Sequence, residues 1–226
     1  MEKVMYQHKW VSGEAISFPA GKAVCIGRNY VAHAQELNNP IPESPLLFIK
    51  PASAFCDFSP AFTINEQLGE HHYEAELVLL VGETITADTL EPLSHICGIG
   101  LGLDLTLRHL QSQLKAQGHP WERAKAFDGS ACLSAFIPAK ELELTQPLEF
   151  RFWQNGQLRQ YGETDKMIFK LDHLLQEVTR YFTLQPGDIV MTGTPQGVGK
   201  LNVGDSLALQ LGDFEQLKSQ VQAILQ

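Results

Sequence analysis

A β-rich α+β fold is predicted from three features of the chain. Short apolar runs bounded by Gly and Pro recur along most of its length, few segments carry helical periodicity, and strands and helices do not alternate regularly. Taken in order, Ala23–Ile26, Leu46–Ile49, Glu76–Val81, Ile99–Leu105, Leu148–Trp153, Asp188–Thr192 and Ser206–Leu211 read as strands. The last alternates as Leu207-Ala208-Leu209-Gln210-Leu211, the pattern of a half-exposed strand. Asn155-Gly156 between two strand-like segments predicts a tight hairpin, because both turn positions need positive φ. Tyr30–Asn38 predicts a short helix, Leu105–Gln117 a longer one, and Lys170–Phe182 the clearest. In that last segment Leu171, Leu174, Leu175, Val178 and Phe182 share one helical face, and Pro186-Gly187 follows its end.

With 226 residues, no low-complexity linker and no internal repeat, the chain is expected to form one compact domain with a full core. A net charge of −9 argues against nucleic-acid binding through a general basic surface. Cys25, Cys56, Cys97 and Cys132 are dispersed and form neither a CxxC motif nor a disulfide framework, so reduced thiols are expected. The first residues lack a secretory pattern, and no apolar run approaches the ~20 residues that cross a bilayer. A soluble cytoplasmic protein with no membrane or nucleic-acid partner is the default expectation.

The chemistry starts at Tyr73-Glu74-Ala75-Glu76-Leu77-Val78. In a strand, Glu74 and Glu76 project from one face, and like charges there repel. A third carboxylate, Asp104, sits between leucines in Leu103-Asp104-Leu105. The bland alternative is an exposed face paired with lysines. The apolarity of both runs favours a hard divalent cation, Mg²⁺ or Mn²⁺, held by all three.

Other groups are open to two readings. His33 and Glu36 stand at i, i+3, close enough for the carboxylate to orient the imidazole as a base for water, or else for a simple surface pair. Lys125, in Ala124-Lys125-Ala126-Phe127, reaches a bound anion or is merely solvated. Arg108 and Gln111, one turn apart, either bind carboxylate oxygens or face water. Gly193-Thr194-Pro195-Gln196-Gly197-Val198-Gly199-Lys200 invites a phosphate-loop reading, but its spacing fails, and Leu201 stands where Ser or Thr is needed. Tight turns that offer backbone N–H groups and the Thr194 hydroxyl to a small anion fit better.

Together these motifs resemble the fumarylacetoacetate hydrolase family, and in particular its small single-domain acylpyruvases, also described as oxaloacetate decarboxylases or tautomerases. The likeness runs in order through Gly27-Arg28-Asn29-Tyr30, Leu47-Phe48-Ile49-Lys50-Pro51, Glu74-x-Glu76, Leu103-Asp104-Leu105-Thr106-Leu107-Arg108, Lys125-Ala126-Phe127-Asp128, Gly162-Glu163-Thr164 and Gly193-Thr194-Pro195. It implies a mixed β-roll like the family's C-terminal domain, with residues 1–20 a lead-in segment and 21–226 a single catalytic domain, assembled as a homodimer. It further implies a metal held by Glu74, Glu76 and Asp104. His33, Glu36 and Lys125 would be catalytic, and Arg28, Arg108, Gln111 and Thr194 would contact a small 2-oxo acid.

The expected activity is hydrolysis of acylpyruvates through a pyruvate enolate, with oxaloacetate decarboxylation beside it. The alternative is an oxaloacetate tautomerase or a 2-hydroxyhepta-2,4-diene-1,7-dioate isomerase or decarboxylase. A metal-dependent binding protein without turnover is the remaining, less favoured reading, since binding alone needs no base.

Overall fold

The structure is a computed structural model, described for residues 6–215 and 217–223. Among these residues are three sheets and four α-helices: α1 (Val31–Glu36), α2 (Arg108–Ala116), α3 (Glu122–Lys125) and α4 (Leu171–Thr179).

The central sheet runs in the order Leu46–Lys50, Ala23–Gly27, Ile189–Met191, Ala75–Val81, Ile96–Asp104, Ala131–Leu133, Phe55–Asp57, with Ile137–Pro138 also paired to Ile96–Asp104. It mixes parallel pairs, such as Ala23–Gly27 on Ile189–Met191, with antiparallel ones, such as Ala75–Val81 on Ile96–Asp104. Leu46–Lys50 and Phe55–Asp57 lie at opposite ends of this order, yet only residues 51–54 join them. Seven flat strands would separate the ends by about 29 Å, whereas the Cα path from Lys50 to Phe55 reaches about 18 Å at most. The sheet must roll up, and the Lys50 ammonium accordingly lies 2.8 Å from Asp104 Oδ1 across the inside of the roll.

Period-two alternation sorts the strand residues between two cores. Leu77, Leu79, Val81, Ile99, Leu101 and Leu103 face outward, where α4 and a second sheet bring Leu174, Val178, Phe150, Phe152 and Leu209 against them. That sheet runs Gln157–Glu163, Glu149–Gln154, Ser206–Leu211, Leu217–Ala223, Ala61–Ile64. Val78, Leu80, Cys25 and Met191 face into the roll, which Ile16, Phe55 and Phe136 fill. On the inward side of Ile96–Asp104 the sequence places Gly100, because a Cβ there would come within 3.0 Å of the Phe136 ring. Residues 6–20, the described part of the expected 1–20 lead-in, close over this core: His8 Nε2 donates to the Gly187 carbonyl at 3.0 Å, and Val11 N–H donates to Phe136 O at 2.9 Å.

Each strand expected from the sequence is present, with ends displaced by a residue or a few. Asn155 and Gly156 turn the hairpin at φ 52° and 75°. The expected helices are shorter, at Val31–Glu36, Arg108–Ala116 and Leu171–Thr179. Leu105–Leu107 stays extended because Thr106–Leu107 pairs with His71–Tyr73 in the three-stranded third sheet. Lys125 is the last residue of the short helix α3.

Candidate active site

Sheet direction brings four pieces of chain to one mouth of the roll. Ala23–Gly27 and Ile189–Met191 run parallel and end there, giving way to Arg28-Asn29-Tyr30 and Thr192-Gly193-Thr194. Ala75–Val81 runs the other way and so begins there, and Ile96–Asp104, antiparallel to it, ends there. Asn29 ties the pieces together: its side chain donates to Thr192 O at 2.9 Å and accepts from Phe169 N–H at 2.8 Å.

Glu76 and Asp104 both lie on inward positions of paired strands. Glu74 departs from the in-strand alternation expected of it. It occupies the joint between His71–Tyr73, which belongs to the third sheet, and Ala75–Val81, and Asp104 N–H donates to its carbonyl at 2.8 Å. Its side chain still turns toward its neighbours: one carboxylate oxygen from each of Glu74, Glu76 and Asp104 falls within 4.8 Å of the others, and all three residues are buried.

Burial works to raise the Glu74 carboxyl, but the Lys125 ammonium, the Arg108 guanidinium and His33 hold it below the usual carboxylate range. Glu76 goes the other way. Burial, then Asp104 and Glu74, push it well above the usual range, with one Gly193 N–H at 2.8 Å in opposition. Asp104 Oδ1 accepts no aligned hydrogen bond, since the three protons of Lys50 go to the carbonyls of Leu105, Lys125 and Ser130. One carboxyl forced toward its neutral form, among three buried acids whose oxygens approach within 4.8 Å, is the electrostatic demand that a hard divalent cation meets. The three carboxylates therefore fit such an ion.

Around them, Lys125 Nζ donates to Glu74 Oε2 at 2.8 Å and Asp104 Oδ2 at 2.6 Å. Burial disfavours its charge, yet Asp104 and Glu74 raise its pKa, so it remains an ammonium with one proton left for the cleft. Arg108 pairs with Glu74 and donates to Gln111 Oε1 at 2.8 Å, as their one-turn spacing allows. His33 is buried in α1 with Nδ1 3.4 Å from Glu36 Oε2, while Glu36 also accepts from Gly197 N–H at 3.0 Å. Burial lowers the His33 pKa, against the pull of Glu74 and Glu36, so the ring is neutral.

Arg28, His33, Arg108, Gln111, Lys125 and Thr194 all line the cleft above the carboxylates. The Thr194 hydroxyl is not free to donate to an anion, however: its proton goes to Ala75 O at 2.8 Å, and Gln160 Nε2 donates to its oxygen at 2.8 Å.

Two contributors carry no assignment from the sequence. Lys50 is fully buried beneath Asp104, and the one available signal was a lysine ending the apolar run Leu47-Phe48-Ile49. Gln160 arrives from the second sheet, accepts from Ala75 N–H at 2.9 Å and donates to Pro195 O at 2.9 Å. Nothing local in its sequence distinguishes it.

Known proteins share this fold and part of this sequence. Residues 22–222 match the family model described as fumarylacetoacetate (FAA) hydrolase C-terminal. The chain is 44% identical over 207 residues to the oxaloacetate tautomerase YcgM of Escherichia coli, covering 91% of this chain and 94% of that one. To the mitochondrial oxaloacetate tautomerase FAHD1 of Arabidopsis thaliana it is 36% identical, covering 89% and 91%. The solved structure of fumarylpyruvate hydrolase from Pseudomonas aeruginosa, in complex with Mn²⁺ and pyruvate, superposes with a TM-score of 0.89 at 32% identity, covering 99% and 98%.

Proposed function

The chain belongs to the fumarylacetoacetate hydrolase family, and from that premise we propose that it is a divalent-cation-dependent oxaloacetate tautomerase, interconverting the enol and keto forms of a 2-oxo acid. The observation that carries the reading is His33, held by Glu36, lining the same cleft as Lys125, which is ion-paired to Glu74 and Asp104. Tautomerisation needs that pair: one group to carry a proton and one to stabilise charge on oxygen.

Glu74, Glu76 and Asp104 would hold Mg²⁺ or Mn²⁺, which supplies Lewis-acid stabilisation of the 2-oxo oxygen. With its Nδ1 proton directed to Glu36, His33 presents Nε2 as the acceptor. It takes the enol O–H proton and returns it to C3 for the keto form, or runs the two steps in reverse. The remaining Lys125 proton donates to the 2-oxo oxygen where negative charge collects. Arg108 and Gln111 hold the carboxylate end of the substrate. The Thr194 hydroxyl proton is engaged by Ala75 O, and the N–H groups of Gly193 and Gly197 by Glu76 and Glu36, so these groups brace the site and are not donors to the substrate.

A second reading is cleavage of acylpyruvates, in which His33 deprotonates water that attacks the distal carbonyl. The likeness to a fumarylpyruvate hydrolase structure favours keeping it, since both outcomes share an enolate. The two relatives named oxaloacetate tautomerase, at 44% and 36% identity, weigh toward proton transfer. Homodimer assembly, implied by the family resemblance, is part of the same proposal. Adding Mg²⁺- or Mn²⁺-loaded protein to freshly dissolved enol oxaloacetate should speed the decay of enol absorbance, with acetylpyruvate and fumarylpyruvate cleaved more slowly. Cleavage of either acylpyruvate faster than oxaloacetate conversion would move the assignment to the hydrolase, and no change in any of the three would refute both readings.

A further inference from the structure

Although the chain carries a net charge of −9, its cleft is lined by four cations (Arg28, Arg108, Lys115 and Lys125) and two carboxylates (Glu74 and Glu76). A bound divalent ion would make the cleft more positive still. The cations are not used alike. Lys125 and Arg108, at the inner end, are hydrogen-bonded to Glu74. Arg28 and Lys115 face no carboxylate among the described residues, and the one polar partner of Lys115 Nζ is Asn39 Oδ1 at 3.2 Å.

Helix α2 gives this arrangement its direction. Arg108, Gln111, Ser112 and Lys115 follow one another at i, i+3, i+4 and i+7, and all four line the cleft. Leu107, Leu110 and Leu114, together with Ala124, take the apolar side. A helix packed for stability alone turns its apolar stripe inward and leaves its polar stripe to water. Here a polar stripe forms the wall of a cavity and leads outward from the Glu74-bound Arg108. Lys115 ends this stripe, and its ammonium donates to Asn39, which lines the same cleft.

Arg28 lines the same cleft. Its φ of 60° is unusual for a residue with a side chain, and it sits where the Ala23–Gly27 strand leaves the roll. Burial, then Arg28, then Arg108 depress the Lys115 pKa, and of these three cations only Arg108 has a carboxylate partner, Glu74, among the described residues.

We infer that Arg28 and Lys115, the latter steadied by Asn39, form a subsite for a second carboxylate, so that the cleft selects 2-oxo dicarboxylates over their monocarboxylate counterparts. The inference rests on the proposed reading in one respect, that the 2-oxo acid head is seated at the carboxylate trio. It extends that reading by naming the groups that read the far end of the substrate. Two cations at the cleft rim also give an anion a favourable approach that salt should weaken.

The test uses an unreactive pair that differs by one carboxylate, L-malate and lactate, titrated calorimetrically into Mn²⁺-loaded protein, with oxaloacetate turnover measured in parallel. The natural protein should prefer malate, with the preference shrinking as salt rises. Lys115→Met should reduce the malate-to-lactate ratio by roughly fivefold, Arg28→Gln should do likewise, and Lys115→Arg should retain most of it. A ratio that survives both Lys115→Met and Arg28→Gln overturns the subsite, even if oxaloacetate is turned over. A ratio lost in those variants, in a protein that converts no 2-oxo acid, upholds the subsite and removes the tautomerase reading. Failure of malate to bind the natural protein overturns the subsite, whatever the oxaloacetate turnover.

Discussion

His33 shows how the surroundings of one side chain decide its role. A solvated histidine has a pKa near 6.5, and burial in α1 lowers it, so His33 is a neutral proton acceptor through a range in which an exposed imidazole would be charging. For activity, the acid limb of the pH profile should fall below 6.5, as the ring takes up its proton. For stability, the sign is set by proton uptake in the unfolded chain. Below 6.5 the unfolded state binds a proton that the folded state resists, so the contribution of His33 is full above 6.5 and declines as pH falls toward the folded value. His33→Ala should lower turnover by about 10²–10⁴-fold, the usual range for a lost general base, while Mn²⁺ affinity by calorimetry changes little. Equal losses of both would make His33 a part of the metal site instead.

At the scale of elements, the informative contact is between two sheets. Gln160 belongs to the outer sheet, yet its amide holds Ala75 N–H, between the two glutamates, and also Thr194 Oγ1 and Pro195 O. Gln160→Leu leaves a buried N–H without a partner at a cost of about 1–3 kcal/mol. Urea unfolding should register that loss, and Mn²⁺ binding should weaken roughly tenfold as the Glu74–Glu76 backbone loosens. Gln157→Leu, at an exposed position of the same strand, is the control and should leave both measurements in place. Matching effects at the two positions would mean that the hairpin, and not the amide, supports the site.

For the whole molecule, three carboxylates at the mouth of a closed roll make folding and cation binding mutually dependent. Glu76 is held far from its ordinary ionisation by burial and by its two acidic neighbours, a cost that a bound divalent ion removes. Free Mg²⁺ or Mn²⁺ at a hundred times its Kd should stabilise the fold by about 2.7 kcal/mol, which for a chain of this size raises Tm by roughly 5–10 °C. A chelator should reverse the shift and abolish turnover. A Tm indifferent to either ion and to the chelator would disqualify the trio as a metal site.

The strand positions, the Asn155-Gly156 hairpin and the face of α4 were all legible in the chain, because period, turn chemistry and capping are local properties written within a few residues. The grouping of Glu74, Glu76 and Asp104 was legible too, since acids in apolar runs are conspicuous wherever they end up. Closure of the sheet was less accessible: it follows from the short link after Lys50 only once the strand order is known, and pairing order is a long-range property. The same holds for Lys50 under Asp104, for Gln160 between the glutamates, and for the meeting of Arg28 with Lys115. Each joins residues far apart in sequence whose side chains converge through packing, and no local pattern records which distant group will lie opposite.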